Sequence, residues 1–377
     1  MIKRLLPLIR KEFIHLMRDP RSLALMFLLP VFMLILYGYA VNFDIKNVPL
    51  GVLDQDRSAA SRGFISKFTK SGSFVLVENL VSGNQFGDRL DSGKIRAVIN
   101  IPSDFSEKIK SLEKMNLQII VDGSDPTWAA SALAYINAIV SQYQQEQIQV
   151  YFKKKGMGAV PQLPINLATR VWYNETLRSV NFFIPGLICV ILMQMSATLT
   201  SLTIVSEKEQ GTMEALVVSP IRKNELMLGK VIPYVLVAFV DVLIITAIGV
   251  FWFGVPFKGS FLLLILGSFI FLTGAMAIGV FISTNAHSSQ EAMQAATLMT
   301  MLPSLLLSGL IFPIENMPWL LQLLSYLIPA RYFLTILRGI FLKGTGLNYL
   351  WPEFLMMLTL STLVIILSVR RFKKRIE

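Results

Sequence analysis

Six stretches of mostly apolar residues punctuate the chain, at roughly Leu23 to Val41, Phe182 to Val205, Val231 to Phe253, Phe261 to Ile282, Ala292 to Phe312 and Leu350 to Val369. Each is close to the 20 or so residues that a helix needs to cross a bilayer's hydrocarbon core. Ahead of the first, residues 3 to 18 put Leu5, Ile9, Phe13, Leu16 and Met17 on one helical face and Lys3, Arg4, Arg10, Lys11 and Arg18 on the other. That spacing predicts a helix lying in the membrane interface. Arg18-Asp-Pro20 should end it, because proline disfavours helical backbone in the residue before it.

From Asn42 to Ser179 the pattern changes to short alternating segments. Val48 to Leu53, Phe74 to Val77, Ala97 to Ile101 and Leu117 to Val121 read as strands; Ser58 to Lys70, Gln85 to Ser92, Ser103 to Lys114 and Thr127 to Lys154 read as helices. The expectation is a small inserted α/β domain. Asp122-Gly-Ser-Asp-Pro126 supplies turn chemistry with a helix cap at Asp125, and Gly156, Gly158, Pro161 and Pro164 mark a linker back to the apolar spans. Pro313 to Tyr349 stays rather apolar, and Pro313, Pro318 and Pro329 should break it into short helices that dip back towards the membrane.

Composition agrees with this layout: 54% of the 377 residues are hydrophobic and only 16% charged, too few charges to coat a soluble surface. The fold class expected is an α-helical polytopic membrane protein with six transmembrane helices and an inserted small α/β extracytoplasmic domain. The net charge of +11 is not a nucleic-acid footprint, since basic residues crowd the first span's N-terminal edge and the last span's C-terminal edge. With six spans both termini lie on one side, which the positive-inside bias makes cytosolic. The first span contains Pro30 and lacks a small-residue cleavage pattern, so it is expected to remain as an anchor. The single cysteine, Cys189, cannot form an intrachain disulfide.

Candidate chemistry is sparse. Gly93-Lys94 and Gly229-Lys230 are followed by Ile95 and Val231 rather than by Ser or Thr, so no phosphate-binding loop is present in the sequence. His15 and His287 have no clustered partners, and the sequence supports neither a catalytic constellation nor a metal site. Asp241, an ionisable residue near the middle of a span, must face protein or water, as a cargo or ion contact or as a packing residue. Gln194 belongs to a polar face of the second span with Ser196, Thr198, Thr200 and Ser201. Between the second and third spans lies a polar stretch, Glu207-Lys-Glu-Gln-Gly-Thr-Met-Glu-Ala-Leu216, followed by Ser219-Pro220. Ser206 and Glu209 have capping-box spacing that would start a short surface helix, Gly211 would let another backbone approach, and Pro220 would end the element.

Arg18-Asp-Pro20, Glu207 to Pro220, Ser308-Gly309 with Pro313, and Pro329-Ala-Arg-Tyr332 together make the chain resemble, over its full length, a membrane subunit of the type-2 ABC exporter family, in its multidrug-export branch. The resemblance implies that Glu207, Gly211, Thr212, Leu216 and Pro220, within a cytosolic coupling segment at 206–230, dock into an ATPase subunit. It implies the order 1–22 interfacial helix, 23–41 first transmembrane helix, 42–179 extracytoplasmic domain and 180–377 remaining helices. It further implies a non-enzymatic permease of a bacterial inner membrane that holds no cofactor and leaves ATP to partner subunits. Such a subunit is expected to pair with a second permease chain, identical or homologous, to contact lipid and a periplasmic adaptor, to bind no nucleic acid, and to export lipophilic or amphiphilic compounds. Asp241 and Gln194 are the candidates for the translocation path. The alternatives are a non-transporting anchor or receptor acting through its outer domain, and an ion-coupled transporter using Asp241.

Overall fold

The first helix, α1, runs Ile2–Arg18, and α2 runs Pro20–Ala40 with Asp19 alone between them, as the proline requires. The computed structural model describes residues 2–41, 47–124, 126–154, 172–174, 178–211 and 223–371. The chain divides into two units, one of Met1–Asn42 with Val171–Glu377 and the other of Phe43–Arg170. The cap expected at Asp125 and the linker around Gly156 to Pro164 lie outside the described residues.

The second unit is the α/β fold that the alternation predicts. Its strands are β1 (Val48–Asp54), β2 (Phe74–Asn79), β3 (Ala97–Ile101) and β4 (Gln118–Val121), and its helices are α3 (Ala59–Lys70), α4 (Gln85–Asp91), α5 (Phe105–Ser111) and α6 (Pro126–Lys154). The strands form one sheet in the order β2-β1-β3-β4. β1 is parallel to β2 and β3, with Val48 opposite Phe74 and Leu50 opposite Ala97, whereas β4 is antiparallel to β3. One core packs Leu50, Val52, Phe74 and Ile99 of the strands against Phe64, Phe68, Phe105 and Tyr143 of α3, α5 and α6. A second, smaller one joins Leu53, Leu80 and Val98 to Phe86 and Leu90 of α4. With helices covering both sides, the strands are buried in near-continuous runs, as parallel sheets are.

The first unit continues with α7 (Ser179–Glu209), α8 (Lys223–Ala247), α9 (Phe261–Ser283), α10 (Ser289–Ala296), α11 (Leu302–Leu307), α12 (Trp319–Ser325), α13 (Pro329–Arg338) and α14 (Leu347–Arg371). π-helical turns follow α8, α10 and α13 at Ile248–Trp252, Thr297–Met301 and Gly339–Lys343. Among the described residues, five helices are long and apolar enough to cross a membrane: Leu23–Ala40, Ser179–Glu209, Leu228–Trp252, Phe261–Ser283 and Leu347–Arg371. α12 and α13 form a pair bent by 80° that passes the same test together. The expected fifth span, Ala292 to Phe312, is helical only as far as Leu307 and in three pieces, because the chain then adopts a positive φ at Gly309.

α7 is the spine of this unit, packed against α2, α8, α9, α10 and α13, with every residue from Ile184 to Met193 buried. Hydroxyls join neighbouring helices: Ser361 Oγ of α14 donates to Ile270 O at 3.3 Å and Ser368 Oγ to Ala277 O at 2.7 Å, both on α9. Such bonds replace the hydrophobic drive that lipid does not supply between helices.

Candidate functional site: a charged hub at the end of α7

α7 does not stop where the apolar run stops. Val205 to Glu209 contains no helix breaker, so Ser206, expected to cap a new helix, lies inside α7 instead. Its hydroxyl donates back to Thr203 O. The helix ends at Gly211, whose φ of +70° is the left-handed conformation favoured by glycine at the position after a C-cap. The Gly211 N–H donates to Lys208 O at 3.2 Å. Among the described residues, a side chain built on Gly211 would meet nothing within 4 Å, and its backbone conformation by itself favours a glycine here.

The last three residues of α7 each reach a different neighbour. Glu207 accepts an ion pair from Lys230 Nζ of α8 at 2.6 Å, and Lys230 is only 4% exposed. Lys230 also faces Glu12 of α1 at 3.8 Å, itself 3% exposed, and Lys11 closes the ring at 3.6 Å from Glu207 and 3.5 Å from Glu12. Lys208 Nζ donates to Ser283 O, the last carbonyl of α9, at 2.7 Å. Glu209 accepts from the Ser289 backbone N–H at 2.8 Å and from its hydroxyl, at the N-terminus of α10 where a carboxylate is favoured. One helix end therefore ties together α1, α8, α9 and α10.

The seat of α1 depends on Gly229. A Cβ there would lie 2.3 Å from Leu8 Cδ2, so only glycine lets α1 lie directly on α8. Leu8, Glu12 and Leu16 form the buried edge of α1, and Met17, expected on that face, is 71% exposed. Glu12 was thus absent from the sequence expectation although its i+4 spacing between two leucines marks it. In the sequence Glu209 stands as a capping-box partner of Ser206 and Lys230 as part of a Gly-Lys pair, neither as a contact to another helix. Among the predicted coupling residues, Glu207 and Gly211 belong to the hub; Thr212, Leu216 and Pro220 lie outside the described residues.

Farther along α7, the pairs Lys230–Glu207 and Tyr234–Thr203 share one antiparallel register with α8, and the turn after α8 brings Gly249 beside Ile184 and Ile188. That register sets Asp241 level with Ser196. Both are buried, and Asp241 Oδ1 and Ser196 Oγ find no partner among the described residues. Gln194 lies two residues earlier, about 200° round the helix, and no hydrogen bond joins it to Asp241 among the described residues; its Oε1 is likewise enclosed without a partner.

A unit with several apolar helices long enough to cross a membrane, a charged hub at one end of its central helix and an inserted α/β unit is the layout of a polytopic helical membrane protein. The chain belongs to the ABC-2 family of transporter proteins, whose profile matches residues 20–370. It is 33% identical over 373 residues to the probable multidrug ABC transporter permease YbhS of Escherichia coli K12, covering 97% of this chain and 96% of that one. It is 32% identical to the probable multidrug permease YbhR of the same organism, covering 96% of each chain. Identity to its inner membrane transport permease YhhJ is 27%, over 87% of this chain and 86% of that protein.

Proposed function

We propose that this chain is the permease subunit of an ATP-driven exporter that moves lipophilic or amphiphilic, drug-like compounds out of the cell. It works with a second permease chain, identical or homologous, while ATP is bound and hydrolysed on separate cytosolic ATPase subunits. Family membership over nearly the whole chain and the names of its relatives support the class. The observation that carries the coupling role is the hub: Glu207, Lys208 and Glu209 link four elements immediately before the segment expected to dock. A push on residues 211 to 220 would reach α1 and α8 through Lys230, and α9 and α10 through Ser283 and Ser289.

In this reading six spans cross a bacterial inner membrane with both termini cytosolic, and the fifth is the α10–π–α11 run. The α/β unit is then extracytoplasmic and contacts a periplasmic adaptor. Asp241 and Gln194 lie along the cargo path. The test is copurification of the tagged chain with an ATPase subunit in mild detergent, repeated with Gly211→Trp and Glu207→Ala. The ATPase is expected with the parent chain and not with the variants; its absence from the parent preparation would refute the proposal. A non-transporting anchor gives no reason for the hub. The unpartnered Asp241 Oδ1 favours one other reading, an ion-driven transporter, which predicts export that survives ATPase loss and is abolished by Asp241→Asn.

A further inference from the structure

Arg338 closes α13, at the end of the membrane unit remote from the hub. Its neighbour Phe182 lies in the first turn of α7, 25 residues before Glu207 and so about 37 Å away along the helix. The guanidinium carbon sits 3.8 Å from the centre of the Phe182 ring, and Nη1 donates to Gly309 O at 3.1 Å. Nε and Nη2 are enclosed and have no acceptor among the described residues. No carboxylate among those residues forms an ion pair with Arg338.

A guanidinium withdrawn from water without a counter-charge is costly, and a ring face and one carbonyl offset only part of that cost. The geometry also selects what is missing. Nη1 is occupied, whereas Nε and Nη2 form the edge of the fork that presents two parallel N–H donors to a carboxylate or phosphate. We infer that this Nε–Nη2 edge receives the acidic headgroup, phosphate or carboxylate, of an amphiphile whose tail lies against the apolar helices. This narrows the cargo class to anionic amphiphiles and rests on the exporter reading. Nε and Nη2 are enclosed in the present arrangement, so a headgroup reaches that edge only when the surrounding groups move apart.

The test uses the permease purified with its ATPase partner in phosphatidylcholine nanodiscs. Binding of radiolabelled dodecyl phosphate is compared with dodecyltrimethylammonium, dodecyl maltoside and inorganic phosphate, for the parent, Arg338→Lys and Arg338→Gln. Size-exclusion profiles establish that the variants fold, and Arg338→Lys keeps the charge while losing the fork. Arg338→Gln should weaken dodecyl phosphate at least about tenfold, the loss expected of one charge-assisted hydrogen bond, with Arg338→Lys between and the other two amphiphiles unchanged. Equal loss of all three amphiphiles, unchanged dodecyl phosphate binding in Arg338→Gln, or no binding by the parent would overturn the inference. Inorganic phosphate competing as well as dodecyl phosphate would overturn the amphiphile in favour of a free anion. Failure of the exporter reading shows separately, as a preparation without an ATPase subunit, because binding is scored on the permease.

Discussion

Lys230 is a lysine with almost no water around it, held between Glu207 and Glu12. Buried pairs are weak sources of net stability but expensive to break, because the surviving charge stays desolvated. Lys230→Met removes the buried cation between two carboxylates and leaves the largely exposed Lys11 near both. It should cost on the order of 3–5 kcal/mol, read as a lowered unfolding midpoint in detergent. The double variant with Glu12→Gln should be less damaging than the two single effects added, by roughly 0.5–3 kcal/mol; strict additivity would mean that the two residues do not communicate. Glu12 also shows why this site was only half legible. Reading α1 by its apolar and basic positions assigns each residue to a face but does not reveal an acid inside the apolar stripe that answers a lysine more than 200 positions away. Arg338 is the same problem, since nothing in its neighbourhood in the sequence shows that its charge lacks a counterpart among the described residues.

Among the elements, the strands and helices of the α/β unit were readable to within a few residues, because short apolar runs bounded by Gly, Ser and Asp carry their own start and stop signals. The end of α7 was not. A capping-box spacing at Ser206 is a local signal, and the uninterrupted helix passing through it wins since nothing before Gly211 breaks the ladder. Within the α/β unit, α3 and α6 are joined by Lys67 and Glu146, whose Nζ and Oε2 lie 2.6 Å apart. The Lys67 hydrogen bond holds the Glu146 carboxyl below its ordinary value. With the folded-state value depressed, the contribution is present above the unfolded-state value, about 4.3, and is lost as pH falls through the lower folded one. Amide hydrogen exchange in α6 of the full chain should therefore speed up below about pH 4.3, and Glu146→Gln should flatten that acid limb. An identical limb in the variant would assign the acid sensitivity to other carboxylates.

At the scale of the whole molecule, the two units have separate cores, each closed by its own residues. Removing Asn47 to Gly158 should consequently leave membrane insertion and ATPase copurification intact while impairing export, measured as dye efflux from cells; undiminished efflux would show that the α/β unit is dispensable for transport. The general division was legible because hydropathy changes abruptly at its borders. The number of crossings was harder to read, because a π-turn and Pro303 divide one run and an 80° bend divides another.

The helix α7 has a further consequence. Phe182 meets the guanidinium at one end, and 207, 208 and 209 must each point to a different neighbour at the other. Every residue of a helix turns the next by about 100°. One residue inserted or deleted anywhere between those ends would swing all three charges off their partners together, whereas residues added after Gly211 would leave them untouched. Over those positions the chain has a fixed count, and evolution can change the letters of α7 more easily than their number.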